Sequence, residues 1–279
     1  MSDSTADTSS TAGTDGSVAP VETVVRVDDD RGIRTITLDS PANRNALSAR
    51  LRTQLHTALT EAAADTEVRA IVLTGVGPAF CAGADLKEIA AERAGTPPDS
   101  QAPAMSALFT AVLDAPKPVL VKLNGSARAG GIGLVAAADI ALAPQSATFA
   151  FTEVRIGVAP AMISVPVAAR MADRQLSRYF FTGETFDARA AATAGLVTEA
   201  VPDAELDAAT EGVLAGLRQA APAALRQTKA ILGQRSLPRE RRDRDLVEMG
   251  QLSAELFASD DAAEGRAAFL ERRAPSWVL

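Results

Sequence analysis

The stretch NGSARAGGIGLVAAAD, residues 124–139, carries four glycines within ten positions and then continues as an apolar, helix-like run. Glycine lets a ligand or a neighbouring segment approach the backbone closely, because it has no Cβ. The helix that begins here presents free N–H groups, which favour negative charge. We therefore interpret the stretch as a helix start whose main-chain amides stabilise an oxyanion, with a second amide expected from another loop.

These glycines are also compatible with other kinds of site. A phosphate-binding Walker loop is excluded, because no lysine follows Gly130 or Gly131. GIGLVA matches the dinucleotide-binding pattern GxGxxA, with Glu153 about 20 residues later, but residues 124–129 separate it from its strand. A dinucleotide-dependent oxidoreductase is therefore a distant alternative, and a purely structural role in close helix packing stays open.

Charge and residue counts exclude several classes of protein. The 279 residues have a formal net charge of −7, which argues against nucleic acid or an anionic membrane as a partner. The beginning of the chain lacks the pattern of a secretory leader and no run reaches about 18 apolar residues, so a cytoplasmic protein is expected. With one cysteine, Cys81, and one histidine, His56, we expect no disulfide, no metal site and no Ser-His-Asp or Cys-His mechanism. The acid or base is then expected to be a carboxylate.

Alternating strand and helix signals predict an α/β fold. Strands are predicted in VVRVDDDRGIRTITL, RAIVLTG, PVLVKLNG and SATFAF, and Ser48 is the predicted N-cap of the first helix. From about residue 187 onward only helix signals occur, with Asp187 as a cap and Gly195 as a stop. We therefore expect an α/β core to about residue 186 and a helical C-terminal part over 187–279.

Two segments are predicted to lie outside the packed core. Residues 1–21 have almost no large apolar side chains, so a disordered tail is expected. Residues 91–104 are rich in proline and glycine, which is typical of a mobile surface loop near a ligand. The remaining chain, 22–279, is expected to fold as one unit.

The second amide is expected from PAFCAGADLKE, residues 78–88, which follows the predicted strand RAIVLTG. This loop and four other segments resemble the enoyl-CoA hydratase/isomerase (crotonase) superfamily, in matching order and spacing over residues 22–279. The segments are GPAFCAGADLKE, KPVLVKLNGSARAGGIGL, ADIALAPQSATFAFTEVRIGVAP, GETFDARAAATAGLV and DDAAEGRAAFLERRAPSW. The resemblance implies a crotonase-like spiral of β-β-α units with a helical C-terminal portion.

The resemblance also implies the partners of the chain. The substrate would be an acyl-CoA thioester, and since coenzyme A is part of that substrate, no separate cofactor is expected. A homotrimer or a dimer of trimers is implied as well. Phe269 and Trp277 would contribute to contacts between subunits, although packing in the core explains them equally well.

In this family the thioester carbonyl lies between two main-chain amides, and the matching positions here are Ala84 and Gly130. Two loops, NRNALS and GADLK, would hold the coenzyme A moiety. The matching positions in these loops are Arg44, Ala46, Ala82, Asp85, Leu86 and Lys87. Ordinary surface charge is the other interpretation of Arg44 and Lys87.

Hydratases of the family use two glutamates that share a water molecule. Glu153 in FTEVRIG matches one of them, and its apolar neighbours predict a partly desolvated carboxyl with a raised pKa. Gly133 stands at the position of the other glutamate, where it would border the substrate. A hydratase with one glutamate, a double-bond isomerase and a non-catalytic acyl-CoA-binding protein therefore all stay open. FTEVRIGVAPAMIS is similar to hydratases of branched or carboxylated enoyl-CoA, such as methylglutaconyl-CoA, which favours the hydratase.

Arg128 prompts a hypothesis of its own. It precedes Gly130 by two residues, close to where the acyl chain is expected to pass. A guanidinium there would pair bidentately with a carboxylate at the far end of the substrate. Equal effects of Arg128→Met on a carboxylated and a plain enoyl-CoA would contradict this hypothesis.

Overall fold

A computed structural model describes residues 22–93, 95 and 104–279. The disordered tail predicted for residues 1–21 lies outside this part of the chain, as does most of the surface loop predicted for residues 91–104. Both expectations therefore stay predictions.

Ten strands and eleven α-helices form the described part of the chain. The strands are β1 (Val25–Asp30), β2 (Ile33–Leu38), β3 (Ala70–Gly75), β4 (Ala79–Cys81), β5 (Val119–Lys122), β6 (Ser126–Arg128), β7 (Ile140–Pro144), β8 (Thr148–Ala150), β9 (Phe186–Asp187) and β10 (Glu199–Val201). The helices are α1 (Ala49–Ala64), α2 (Leu86–Arg93), α3 (Met105–Asp114), α4 (Gly130–Ala137), α5 (Ala161–Ala168), α6 (Asp173–Thr182), α7 (Ala188–Ala194), α8 (Leu206–Gln219), α9 (Pro222–Ser236), α10 (Arg239–Ala258) and α11 (Asp260–Glu271). Short 3-10 helices cover Pro41–Asn43, Thr152–Ile156 and Asp203–Glu205.

The strands are divided between two sheets. The larger sheet has the order β1-β2-β3-β5-β7-β10, and the smaller sheet has the order β4-β6-β8-β9. Only the hairpin β1–β2 and the pair β8–β9 are antiparallel among the described strands. The predicted α/β class is confirmed.

The chain passes from one sheet to the other in a repeated order. A strand of the larger sheet, a strand of the smaller sheet and then helix follow one another in β3-β4-α2, β5-β6-α4 and β7-β8-α5. Because β4, β6 and β8 are parallel neighbours, their carboxyl ends meet at one edge of the smaller sheet. The three segments that follow these strands are therefore brought together.

Local signals for helix ends are confirmed by the structure. The Ser48 hydroxyl accepts a hydrogen bond of 3.3 Å from the Leu51 amide at the start of α1. The Asp187 carboxylate accepts one of 2.8 Å from the Ala190 amide at the start of α7. Gly195 ends α7 in the left-handed conformation, with φ of +89°.

The expectation that only helices follow residue 187 is wrong for β10. This strand pairs in parallel with β7 and so extends the α/β core beyond the predicted boundary near residue 186. The strand has three residues and Pro202 follows it, so it is too short to show the alternation that marks a strand. Hydrogen bonds to a distant segment create it, and these are not visible in the local sequence.

Two helices position the site described below. All eight residues of α4 are buried, so its amino end projects from the interior toward the loop after β4. Helix α10 belongs to the helical C-terminal part and packs against α5. Within the described residues, no helix combines the length and the apolar character needed to cross a membrane.

Candidate active site

A cavity of about 180 Å³ lies where the segments after β4, β6 and β8 meet. Five of the residues predicted for the site line it together: Ala82, Ala84, Leu86, Gly130 and Glu153. Most of the other described lining residues are apolar and come from α3, α5, α10 and the segment 156–160. The topology of the smaller sheet thus brings together five predicted residues that are up to 71 positions apart in the sequence, from Ala82 to Glu153.

The two glycine-containing loops of this cavity are in direct contact. A Cβ atom added at Gly83 would lie 2.8 Å from Ala129 Cβ and 3.5 Å from the Gly130 nitrogen. A Cβ atom added at Gly131 would lie 2.7 Å from Cys81 Cβ. Real Cβ atoms do not approach other atoms this closely, so glycine is required for the two backbones to pack.

Ala84 and Gly130 each contribute an amide beside this contact. Neither amide donates a hydrogen bond to another residue in the described chain. The Gly130 amide begins α4, where the first N–H groups have no partner within the helix. Ala129 precedes it with φ of +45°, a strained conformation for a residue with a side chain. The arrangement leaves two donors available to a ligand atom in the cavity.

The loop 40–47 holds the loop after β4 in place. The Leu47 amide donates to the Gly83 carbonyl at 2.7 Å, and the Ala82 amide donates to the Arg44 carbonyl at 3.0 Å. These two bonds fix the backbone on both sides of Gly83. The Ala84 amide is thereby oriented by the fold before any ligand binds.

Two asparagines fix the turn that leads into β4. The Asn45 amide group donates to the carbonyls of Val76 and Ala79, and the Asn124 amide group donates to those of Gly77 and Ala79. Asn45 is fully buried, and its carbonyl oxygen accepts a bond from the Ser40 amide. The turn is thus held by side chains from two neighbouring loops.

Glu153 lines the same cavity from the 3-10 helix Thr152–Ile156. Its side chain is only 8% exposed, and its Oε2 atom has no hydrogen-bond partner in the described chain. Burial raises the pKa of the Glu153 carboxyl from its ordinary 4.5 to about 7. A carboxyl with this pKa accepts and returns a proton near neutral pH.

Helix α11 supports the turn that carries Glu153. Gly157 ends the 3-10 helix with φ of +75°, and a Cβ atom there would collide with the Asp261 carbonyl. On the facing helix, a Cβ atom added at Gly265 would lie 2.6 Å from Ile156 Cα. The glutamate is therefore held by backbone packing, as the two amides are.

Four of the residues predicted for coenzyme A do not line the cavity. Arg44 and Lys87 are exposed on the loops that border it, and Ala46 is buried beneath the first of these loops. Asp85 caps α2, since its carboxylate accepts hydrogen bonds from the amides of Lys87 and Glu88. These residues share one rim, outside the pocket itself.

Arg128 is also absent from the cavity wall. Its guanidinium donates to the carbonyl of Ala127 and to the carbonyl and hydroxyl of Thr148, on the neighbouring strand β8. Three of its N–H donors are thus bonded within the smaller sheet, and the side chain does not line the described cavity.

Gly133 follows Gly130 by about one turn of α4, and the ring of Phe109 fills the space beside it. A Cβ atom added there would lie 2.7 Å from Phe109 Cε1 and 3.2 Å from Ile163 Cγ2. Phe109 is itself fully buried. No larger side chain fits at residue 133 unless this ring moves.

Cys81 borders the same loops without being a nucleophile. It is fully buried, and burial raises the pKa of its thiol to about 12. The thiolate needed for covalent chemistry is therefore negligible near neutral pH. Of the titratable side chains that line the cavity in the described chain, Glu153 alone remains for proton transfer.

Sequence reasoning missed much of the remaining wall. Met105, Met162 and Ile163 supply apolar surface, while Ser253 and Phe257 come from α10. The last two are one helical turn apart, on the face of α10 that packs against the core, and this spacing is the signal that was available. Periodicity shows which face is buried but not which site it covers.

Comparison with known proteins gives consistent results. The family model of enoyl-CoA hydratase/isomerase matches residues 28–278. An enoyl-CoA hydratase from Mycobacterium avium is 42% identical, with a TM-score of 0.81 over 92% of this chain and 100% of that chain. Carnitinyl-CoA hydratase from the same organism is 30% identical, with a TM-score of 0.78 over 92% and 99%. The 2,3-dehydroadipyl-CoA hydratase of Escherichia coli is 33% identical over 87% of this chain and 93% of its own.

Proposed function

Because the chain belongs to the enoyl-CoA hydratase/isomerase family, we propose that it adds water across the 2,3 double bond of an enoyl-CoA thioester. Its fold is the crotonase-like α/β fold, and the homologues identify a hydratase-type enzyme that acts on acyl-CoA thioesters. The observation that carries the proposal is the pairing of two unpartnered amides, at Ala84 and Gly130, with the buried carboxyl of Glu153 in one cavity.

In the proposed first step the thioester oxygen accepts hydrogen bonds from the Ala84 and Gly130 amides. Attack of water at Cβ moves the double-bond electrons toward this oxygen and forms an enolate. Amides fixed in advance stabilise this negative charge without reorganising, and each such donor contributes on the order of 3 kcal/mol. The buried amino end of α4 adds a favourable dipole.

Glu153 is proposed to carry out both proton transfers. Its carboxylate accepts a proton from water as the oxygen attacks Cβ, and the resulting carboxylic acid then donates a proton to Cα. One water is consumed, one C–O and one C–H bond form, and the glutamate returns to its starting state. No cofactor takes part in this cycle.

Double-bond isomerisation is the second candidate, and one observation favours it. The position of the second family glutamate is a glycine, Gly133, and Phe109 fills the space beside it. The described cavity wall therefore holds a single carboxylate, that of Glu153. One carboxylate is sufficient to remove a proton from one carbon of a 3-enoyl thioester and return it to another. The same two amides would stabilise the enolate between these steps.

The rim of the cavity is proposed to bind coenzyme A. Arg44 and Lys87 are exposed on two loops that are joined by the hydrogen bond from the Ala82 amide to the Arg44 carbonyl, and cationic side chains there would meet the phosphates of the carrier. The Escherichia coli relative acts, by its name, on a substrate with a second carboxylate. Arg128 lies outside the described cavity wall and donates to Thr148 on β8, so we do not assign it to such a group.

Association into a trimer or a dimer of trimers is part of the proposal. Large apolar side chains are exposed in the C-terminal part of a single chain, including Ile231 at 69% on α9, Phe269 at 59% on α11 and Trp277 at 38% beyond α11. Exposed apolar groups of this size are typical of subunit contacts. Light scattering of the full chain would give a mass of about three or six times 28.9 kDa.

The experiment that tests the function is a panel of 2-enoyl-CoA and 3-enoyl-CoA thioesters assayed by absorbance. A hydratase removes the conjugated enoyl-thioester band of a 2-enoyl substrate, whereas an isomerase creates this band from a 3-enoyl substrate. Failure of both reactions, with tight binding of the thioesters retained, would contradict the proposed catalysis and indicate a binding protein. A melting temperature raised by NAD and unaffected by coenzyme A would contradict the whole proposal.

A further inference from the structure

The polar groups of the cavity are few, and one of them comes from the C-terminal part of the chain. Among the described lining residues, only Thr152, Glu153 and Ser253 have polar side chains. Thr152 and Glu153 are neighbours in one 3-10 helix. Ser253 lies on α10, so it brings a hydroxyl to the cavity from a separate element.

The Ser253 hydroxyl differs from those of two other helical serines, Ser177 and Ser236. Ser177 and Ser236 donate to the carbonyl four residues earlier in their own helices, at 2.8 Å and 3.0 Å. Ser253 has no hydrogen bond to any residue that the structure describes, although it is half-buried. A hydroxyl that faces a largely apolar cavity without an internal partner has a donor and an acceptor free for a ligand.

Charge restricts the kind of ligand group that this hydroxyl fits. The described cavity wall contains no lysine, arginine or histidine, and Glu153 supplies negative charge when it is ionised. A carboxylate drawn into this space would lose its hydration without gaining a cation. A neutral hydroxyl or carbonyl oxygen carries no net charge, so it does not incur this cost. A single hydrogen bond with the Ser253 hydroxyl would satisfy such an oxygen.

We propose that Ser253 is a specificity-determining residue, which selects acyl chains that carry a neutral hydroxyl or oxo group beyond the double bond. The inference rests on the proposed function, since it takes the cavity as the acyl-chain site. Ser253 binds the distal oxygen of the chain, while Met162 and Phe257 surround the neighbouring carbons. Plain chains bind without this bond, and chains with a distal carboxylate are disfavoured.

The test compares matched 2-enoyl-CoA substrates of equal chain length, with a hydrogen, a hydroxyl or a carboxylate at carbon 4, 5 or 6. Wild-type enzyme and Ser253→Ala are assayed for kcat/KM on each substrate. We expect the alanine variant to lose about tenfold more on the hydroxylated substrate whose oxygen reaches Ser253 than on the plain substrate of the same length. Ser236→Ala, outside the cavity, is the matched control and should leave all the values unchanged.

Three results would overturn the inference. Equal losses on plain and hydroxylated substrates would mean that Ser253 acts on the fold or on the attacking water. Unchanged values on every hydroxylated substrate would mean that its hydroxyl does not contact the chain. A preference for the carboxylated substrate would mean that a cation reaches the cavity. In each case turnover of the plain substrate still supports the proposed function, which fails separately if no thioester reacts.

Discussion

The two sides of the cavity differ in what they present to it. On the loop side, Ala84 and Gly130 line the cavity with amides that have no partner in the described chain, and the backbone there is closely packed: a Cβ atom added at Gly131 would lie 2.7 Å from Cys81 Cβ. Helices α8 and α9 of the C-terminal part pack less tightly at their glycines, since a Cβ atom added at Gly216 or Gly233 would meet nothing within 4 Å. Helix α10, in contrast, contributes side chains to the cavity, and a substitution on this helix replaces the group that contacts the ligand.

This difference separates the chemistry from its selectivity. Amides persist through side-chain substitution, so the loop side keeps its chemistry as long as its packing is retained. Substitution of Ser253 or Phe257 changes the shape or polarity of the pocket and leaves the packing of the two loops as it is. We infer that the loop side and Glu153 determine which reaction occurs, and that α10 determines which acyl chains are accepted.

The largest expected effect comes from Glu153→Gln. Glutamine keeps the size of the side chain but moves no proton, so kcat should fall about 10²- to 10⁴-fold with little change in KM. Steady-state kinetics on a 2-enoyl-CoA measures this, with the exposed Glu199→Gln as a control. A kcat within threefold of the wild type would show that this carboxyl does not transfer the proton.

The same variant should alter how stability depends on pH. Because burial raises the pKa of Glu153 to about 7, the native state binds this proton more tightly than the unfolded chain does. The contribution of this group to stability is therefore lost as pH rises from 4.5 to 7, by up to about 3 kcal/mol. In urea unfolding, Glu153→Gln should gain stability relative to the wild type across this window and stay level above it. A difference that is the same at pH 4.5 and pH 7.5 would be evidence against a buried, protonated carboxyl.

Gly131→Ala tests the packing on the loop side. The added methyl group must displace the backbone of Cys81 or the amino end of α4, at a cost of about 1–3 kcal/mol in stability. Because the displacement also moves the Gly130 amide, kcat should fall in protein that remains folded. Chemical denaturation and kinetics give the two numbers, and wild-type values for both would contradict the tight contact.

Gly216→Ala makes the same substitution in the helical part and has the smallest expected effect. Gly216 lies inside α8 with open space around it, so alanine should stabilise the protein by about 0.5–1 kcal/mol through the lower entropy of the unfolded chain. Activity should be unchanged. A loss of stability as large as that of Gly131→Ala would remove the contrast between the two regions.

The sequence predicted those features that depend on nearby residues. Ser48, Asp187 and Gly195 mark helix ends because each side chain or backbone conformation acts within one turn. The glycines of residues 124–139 likewise indicated a close approach of main chain. These signals depend only on nearby residues, and the structure agrees with each of them.

Features that depend on distant segments could not be predicted in this way. Strand β10 exists through its pairing with β7, and Arg128 turns to Thr148 rather than to the cavity because β6 and β8 are neighbours. In the sequence, Ser253 is one of many polar residues of α10, and only the packing of this helix shows that it lines the pocket. Each of these placements follows from the order of strands and helices, which no single motif encodes.

The most direct test of the central claim is the carbonyl stretching frequency of a thioester bound to the enzyme. An enoyl-CoA bound to Glu153→Gln, which should not turn it over quickly, is measured by difference infrared or Raman spectroscopy with a 13C label at C1. Two amides from Ala84 and Gly130 that converge on the oxygen should shift the C=O band to lower frequency than in water. A band at or above its frequency in water would contradict the claim that main-chain amides polarise the thioester.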